Sequence, residues 1–115
     1  MKIPQEAFLL RIFIGESDKR GARPTYEVIV EEARKRGLAG ATVLRGIMGF
    51  GANSRIHTSK VLRLSEDLPI VIEIVDAEEK IEALIPFLDE MIEEGLVTLE
   101  KVRVIMYRHN GGHEG

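Results

Sequence analysis

Residues Ala7 to Ile14 alternate in a way that predicts a strand. Phe8, Leu10, Ile12 and Ile14 point one way, while Leu9, Arg11 and Phe13 point the other, so both faces are largely apolar. Glu16 to Arg23 is charged and reads as a loop. Pro24 suits a first helical turn, and the helix runs to about Arg36 with Ile29, Val30 and Ala33 inward and Glu31, Glu32, Arg34 and Lys35 outward. Gly37 follows as a residue free to adopt positive φ. Thr42 to Phe50 reads as a second strand and Ala52 to Lys60 as a polar loop. Val61 to Leu64 and Pro69 to Val75 predict a third strand broken near Ser65-Glu66-Asp67, with Pro69 at an edge, a bulge or a strand start. Asp76 and Glu79 have capping-box spacing, as N-cap and N3. The helix they open places Ile81, Leu84, Ile85, Leu88, Met91 and Ile92 on one face, with a kink expected at Pro86 and an end at Gly95. The last strand lies within Val97 to Tyr107.

This βαβ–βαβ order predicts an α+β, ferredoxin-like fold: a four-stranded antiparallel sheet with two helices on one face. A chain of 115 residues fits a single domain, here residues 1–108, followed by a flexible tail over 109–115. Two helices cover one face only, yet the first and third strands are apolar on both. At about 25 cal/mol per Å², leaving that second face wet would forfeit several kcal/mol. It is therefore expected to be buried against copies of the same chain.

Composition narrows the function. The formal net charge is -3 with both signs interleaved, which disfavours nucleic acid as a partner. No apolar run approaches the roughly 18 residues of a membrane span, so the protein is not expected to be membrane-embedded. The early apolar run is interrupted by Arg11 and reads as a strand, not a signal peptide. Without cysteine there is no disulfide, no thiolate ligand and no thiol nucleophile, consistent with a cytoplasmic location. His57, His109 and His113 lack zinc-site spacing, and the neighbours Glu66-Asp67 and Glu93-Glu94 form no nucleophile-plus-base set. Neither a catalytic nor a metal site is expected, and the chain does not read as an enzyme.

The stretch Gly37 to Gly51 (GLAGATVLRGIMGFG) concentrates five glycines around β-branched and apolar residues. Such a run serves a tight turn, a bulge or close approach of backbone to a ligand. It matches neither the Walker spacing nor the dinucleotide fingerprint. Helix, then Gly-Leu-Ala-Gly-Ala-Thr-Val, then Gly-Phe-Gly, then a polar loop resembles the PII signal-transduction proteins, with one more residue between the motifs than is usual there. The chain resembles still more closely a widespread PII-like family of unassigned function. The likeness spans Gly-Leu-Ala-Gly-Ala-Thr-Val-Leu-Arg-Gly, Leu-Ser-Glu-Asp-Leu-Pro before the third strand, and Gly-Leu-Val-Thr near the last.

This resemblance implies a homotrimer holding an adenine nucleotide (ADP, AMP or ATP) in clefts between subunits, with no other cofactor. By position, Thr42, Gly49, Phe50 and Gly51 would approach the base and sugar, and Lys101 the phosphates. The C-terminal Arg-x-Arg pair of PII proteins is missing, as is their glycine-rich loop before the Lys. Arg45, Arg103 and Arg108 are the candidate substitutes, since guanidinium suits bidentate phosphate contact. Residues 52–60 read either as a ligand-ordered switch presented to a target protein or as a plain solvated loop. Two other classes share the fold. One is a trimeric protein similar to the CutA-like divalent-ion tolerance family. The other is a small ferredoxin-like enzyme such as an acylphosphatase, for which Arg20 and Arg23 in the first loop are the relevant cations.

Overall fold

The computed structural model describes residues 3–51, 57–58 and 67–109. In chain order its elements are β1 (Glu6–Gly15), β2 (Lys19–Arg20), β3 (Arg23–Pro24), α1 (Thr25–Lys35), β4 (Thr42–Arg45), β5 (Met48–Gly49), β6 (His57–Thr58), β7 (Pro69–Asp76), α2 (Glu78–Met91) and β8 (Leu96–Arg103). The main sheet has four strands in the order β4-β7-β1-β8, every neighbouring pair antiparallel. With the two helices, this is the ferredoxin-like α+β fold that the pattern predicts.

The core forms where the helices meet the sheet. Leu10, Ile12 and Ile14 of β1 and Ile70, Ile72 and Ile74 of β7 pack with Ile29 and Ala33 of α1, Leu38, and Ile81, Leu84 and Leu88 of α2. Central strands receive apolar cover on this side, so the period-two pattern translates directly into buried alternation. Arg36 ties the helices together: its guanidinium lies 5.5 Å from the centre of the Phe87 ring and donates to the Ala83 carbonyl at 2.8 Å.

Several local expectations change. Pro24 stands just outside α1 as its N-cap, and the loop before it closes into the β2–β3 ribbon with Gly21 at φ 65°. The strand expected over Thr42 to Phe50 is two pieces. Its partner β7 begins at Pro69, so pairing ends at Arg45↔Ile70, and Met48-Gly49 pairs with His57-Thr58 in a separate ribbon. Ala77, not Asp76, is the N-cap of α2, and no side chain caps it. Ile85 is exposed, because the face that packs on the sheet is the Ile81–Leu84–Leu88–Met91 stripe. The last strand is Leu96–Arg103. The third strand's first half, Val61 to Leu64, the polar loop apart from residues 57–58, and the tail beyond His109 lie outside the described residues.

The open face of the sheet is organised in rows, since directly paired residues project to the same side. One row is Leu44–Val71–Phe13–Leu96, entirely apolar. The next is Thr42–Glu73–Arg11–Thr98, entirely polar. A third holds Val75–Leu9–Glu100. Arg11 lies between two carboxylates, 2.8 Å from Glu73 and 2.9 Å from Glu100. The hydrogen bond that Arg11 donates to Glu73 above all raises the Arg11 pKa further, so this guanidinium is permanently charged.

Candidate functional site

Gly37 to Thr42 is built outward from the end of α1. The helix closes with Gly37 N–H donating to the Arg34 carbonyl at 3.0 Å and Leu38 N–H to the Ala33 carbonyl at 3.1 Å. Gly37 takes φ 79°, the left-handed conformation that such a helix end needs. The turn is then fixed from outside. Ala39 N–H donates to Asp76 Oδ2 at 2.9 Å, Lys80 Nζ donates to the Gly37 carbonyl at 3.1 Å, and the Tyr107 hydroxyl approaches the Ala39 carbonyl at 3.4 Å. Thr42 emerges from this turn exposed, on the open face, directly paired with Glu73.

The second half of the glycine run has a different cause. A Cβ on Gly46 would lie 2.7 Å from Pro69 Cγ, and one on Gly49 would lie 3.0 Å from the same atom. Gly46 N–H also donates to the Pro69 carbonyl at 2.7 Å. These glycines let the end of β4 and the β5 ribbon close over the proline that opens β7. Gly40, like Gly37, has nothing within 4 Å of where its Cβ would be, so no packing contact demands a glycine there.

The candidate residues divide by place. Thr42 lies at one end of β4; Arg45, Gly49, Phe50 and Gly51 lie at or beyond its other end. Phe50 is 73% exposed, and Ile47 and Met48 beside it are also exposed, so this end of the β4 edge is an apolar tip. The Arg45 guanidinium is held by Glu16 at 2.8 Å. Lys101 and Arg103 lie on β8, at the opposite edge of the sheet, and with Gln5, Glu6 and Val102 they line an open pocket. Three strand spacings of about 4.8 Å separate the two edges, roughly 14 Å in all. Arg108 follows Tyr107, whose hydroxyl approaches the Ala39 carbonyl, and its own guanidinium contacts the Met106 sulfur at 2.8 Å. One protomer thus does not gather these residues into a single site.

Glu73 joins the candidates through its pairing with Thr42. Its signal in the sequence is a single carboxylate interrupting the apolar run from Ile70 to Val75. Arg23, the cation considered for a phosphate cradle, is engaged by Glu31 at 2.6 Å and Glu27 at 3.3 Å on the flank of α1. Those hydrogen bonds raise the Arg23 pKa and lower that of Glu31. Among the described residues, no group of three or more His, Asp or Glu is arranged to hold a metal ion, and no helix is long and apolar enough to cross a membrane.

Comparison with known proteins places this geometry. The chain is 46% identical over 99 residues to a UPF0166 protein of Aquifex aeolicus (strain VF5), covering 84% of this chain and 91% of that protein. Among solved structures it resembles CPII, a nitrogen regulatory PII-like protein from Thiomonas intermedia K12 bound to ADP, AMP and bicarbonate. That match has a TM-score of 0.63 at 19% identity and covers 86% of this chain and 94% of that one. CutA1 from Pyrococcus horikoshii matches with a TM-score of 0.54 at 13% identity, over 90% and 88% of the two chains. None of these three is named as an enzyme, and at such identities the two structural matches speak for the fold alone. Residues 7–104 carry the pattern of DUF190 (Uncharacterized ACR, COG1993), and the chain belongs to that family.

Proposed function

We propose that this protein is a cytoplasmic regulatory protein of PII type, which binds an adenine nucleotide (ADP, AMP or ATP) in clefts between the subunits of a homotrimer. The observation that carries the reading is the division of the candidate residues between opposite edges of the sheet. Lys101 and Arg103 lie on the β8 edge, while Thr42 and Gly49-Phe50-Gly51 lie on the β4 edge and its ribbon. A head-to-tail contact that closes into a ring brings the β4 edge of one copy to the β8 edge of the next. Both edges expose apolar side chains suited to such a contact: Val43, Leu44, Met48 and Phe50 on one, Leu96, Val97 and Leu99 on the other.

On this reading, backbone groups around Gly40 to Thr42 and Gly49 to Gly51 meet the base and sugar, with the Thr42 hydroxyl as donor and acceptor. Lys101, Arg103 and Arg108 meet the phosphates, and Arg45 joins them when Glu16 releases it. The ADP and AMP in the CPII structure support the ligand class. A target protein would read the chain that follows Gly51. Sedimentation together with calorimetric titration by ATP, ADP and AMP tests the proposal. A trimer that gives saturable heat with at least one nucleotide is the expected result. A monomer at micromolar concentration, or a trimer silent to all three, overturns it.

A further inference from the structure

Asp76 reads in the sequence as a helix cap, but its carboxylate is used elsewhere. The residue is 1% exposed. Oδ2 accepts the Ala39 N–H at 2.9 Å and Oδ1 accepts the Ala77 N–H at 2.6 Å. Ala39 lies 37 positions away, in the turn that delivers Thr42. Burying a carboxylate is unfavourable unless donors satisfy it, and here one of the two donors belongs to the candidate site. Residue Ala39 is held on both sides, its N–H by Asp76 and its carbonyl by the Tyr107 hydroxyl. Lys80, in the first turn of α2, holds the Gly37 carbonyl of the loop before Thr42. The exposed turn is therefore anchored to the buried start of α2.

We propose that Asp76 is a positioning residue of the ligand site. It does not touch ligand. It fixes the Ala39 peptide so that the backbone from Gly40 and the Thr42 hydroxyl are presented in one conformation. Fixing the turn in advance removes an ordering penalty from binding. This rests on the nucleotide reading for the identity of the ligand, but the clamp itself can be measured without any ligand.

Two substitutions separate the arms of the carboxylate. Asp76→Asn keeps the shape but weakens the clamp on Ala39. An amide-to-ester replacement at Ala77 withdraws the Ala77 N–H without adding an atom against Oδ1, which lies 2.6 Å from that nitrogen. The measurements are amide hydrogen exchange at Ala39 and calorimetric titration with ADP and ATP, both on the native oligomer. Loss of a hydrogen bond to a charged group corresponds to about a tenfold change or more. Asp76→Asn is expected to speed Ala39 exchange and weaken nucleotide binding by that factor, with the ester at Ala77 leaving both within about twofold.

Equal effects from both substitutions would make Asp76 a helix cap and overturn the proposal, as would unchanged Ala39 exchange in Asp76→Asn. Unchanged nucleotide affinity in a variant whose Ala39 amide has loosened overturns it too. If the wild-type protein binds no nucleotide, the nucleotide reading fails and the exchange comparison alone decides the clamp. Should Asp76→Asn not fold, Asp76→Ser takes its place: its hydroxyl keeps an acceptor near Ala77 and withdraws the reach to Ala39.

Discussion

Replacing Gly46 with alanine tests the claim that this glycine answers to Pro69 and not to a ligand. The new Cβ would lie 2.7 Å from Pro69 Cγ and 3.6 Å from both the Pro69 Cβ and carbonyl oxygen. Carbon atoms in good contact stand about 3.5–4.0 Å apart, so about 1 Å must be found. A proline ring can shift Cγ only by changing its pucker, which relieves the contact in part. The strand end must back away for the rest, at the expense of the 2.7 Å bond from Gly46 N–H to the Pro69 carbonyl. Overpacking of this size costs about 1–3 kcal/mol, and a weakened backbone bond adds about 1 kcal/mol. The stiffer unfolded chain returns about 0.4–1 kcal/mol. A net loss of about 2 kcal/mol follows, corresponding to roughly 8–12 °C in Tm for a domain of this size.

The assay is thermal unfolding followed by circular dichroism, at one fixed protein concentration because any assembly would couple to Tm. Gly40→Ala is the control, since nothing stands within 4 Å of its Cβ position; it should fall within about 1 kcal/mol of wild type. Pro69→Ala in the Gly46→Ala background removes the clashing Cγ and should restore more stability than the two single changes predict, a coupling of about 1 kcal/mol. Wild-type stability in Gly46→Ala, or additivity in the double variant, would refute the packing explanation.

Gly95→Ala should be harsher, because its Cβ meets the Phe13 carbonyl oxygen at 2.7 Å and the Ile14 and Ile92 methyls at 3.0 Å; a loss of about 3 kcal/mol in urea unfolding is expected. Burial pushes the Asp18 carboxyl above its ordinary 3.8, opposed by the Gly15 N–H and reinforced by Asp67, Glu94 and Glu93. The folded state therefore holds this proton more tightly than the unfolded chain, and the resulting stability is present below 3.8 and lost as pH rises through the folded value. In urea unfolding across that window, wild type minus Asp18→Asn should fall with rising pH, and parallel profiles would contradict the assignment. On the proposed nucleotide reading, Arg103→Leu should weaken ATP more than AMP, by about tenfold, because a phosphate contact to guanidinium is charge-assisted; calorimetry with equal losses for both would remove Arg103 from the phosphate side.

The parts of the fold that could be read from the chain are those in which burial imposes a period. β1 and β7 alternate because the helices press on one side, and α1 and α2 show their inner stripes for the same reason. Gly37 was legible because a helix end has a local requirement. What escaped depends on a partner distant in sequence. Asp76 followed by Glu79 satisfies a local rule for a cap, yet Ala39 claims half of its carboxylate. The run from Thr42 to Phe50 looks continuous, but only the position of Pro69 in the sheet says where its pairing ends. In the candidate site, the sequence sets Thr42 and Gly49-Phe50-Gly51 at the two ends of one continuous strand. The strand instead stops at Arg45, and Gly46 and Gly49 answer to a proline. Glu73 is not legible in the sequence because a carboxylate in a strand resembles ordinary surface until the register sets it against Thr42 and Arg11.

The rows on the open face set terms for anything that lies against them. Hydrocarbon from Leu44, Val71, Phe13 and Leu96 borders a charged band of Glu73, Arg11 and Glu100. A uniformly greasy surface laid over this pattern would strip water from Arg11 and its two carboxylates and return nothing, a penalty of several kcal/mol per ion. A uniformly polar one would leave the apolar row wet. Sliding a well-matched surface by two residues along the strands would set hydrocarbon on the ions and ions on the hydrocarbon. The face therefore acts as a ruler as well as an adhesive: it rewards one alignment and penalises the next, and Arg11 is the mark from which that alignment is measured.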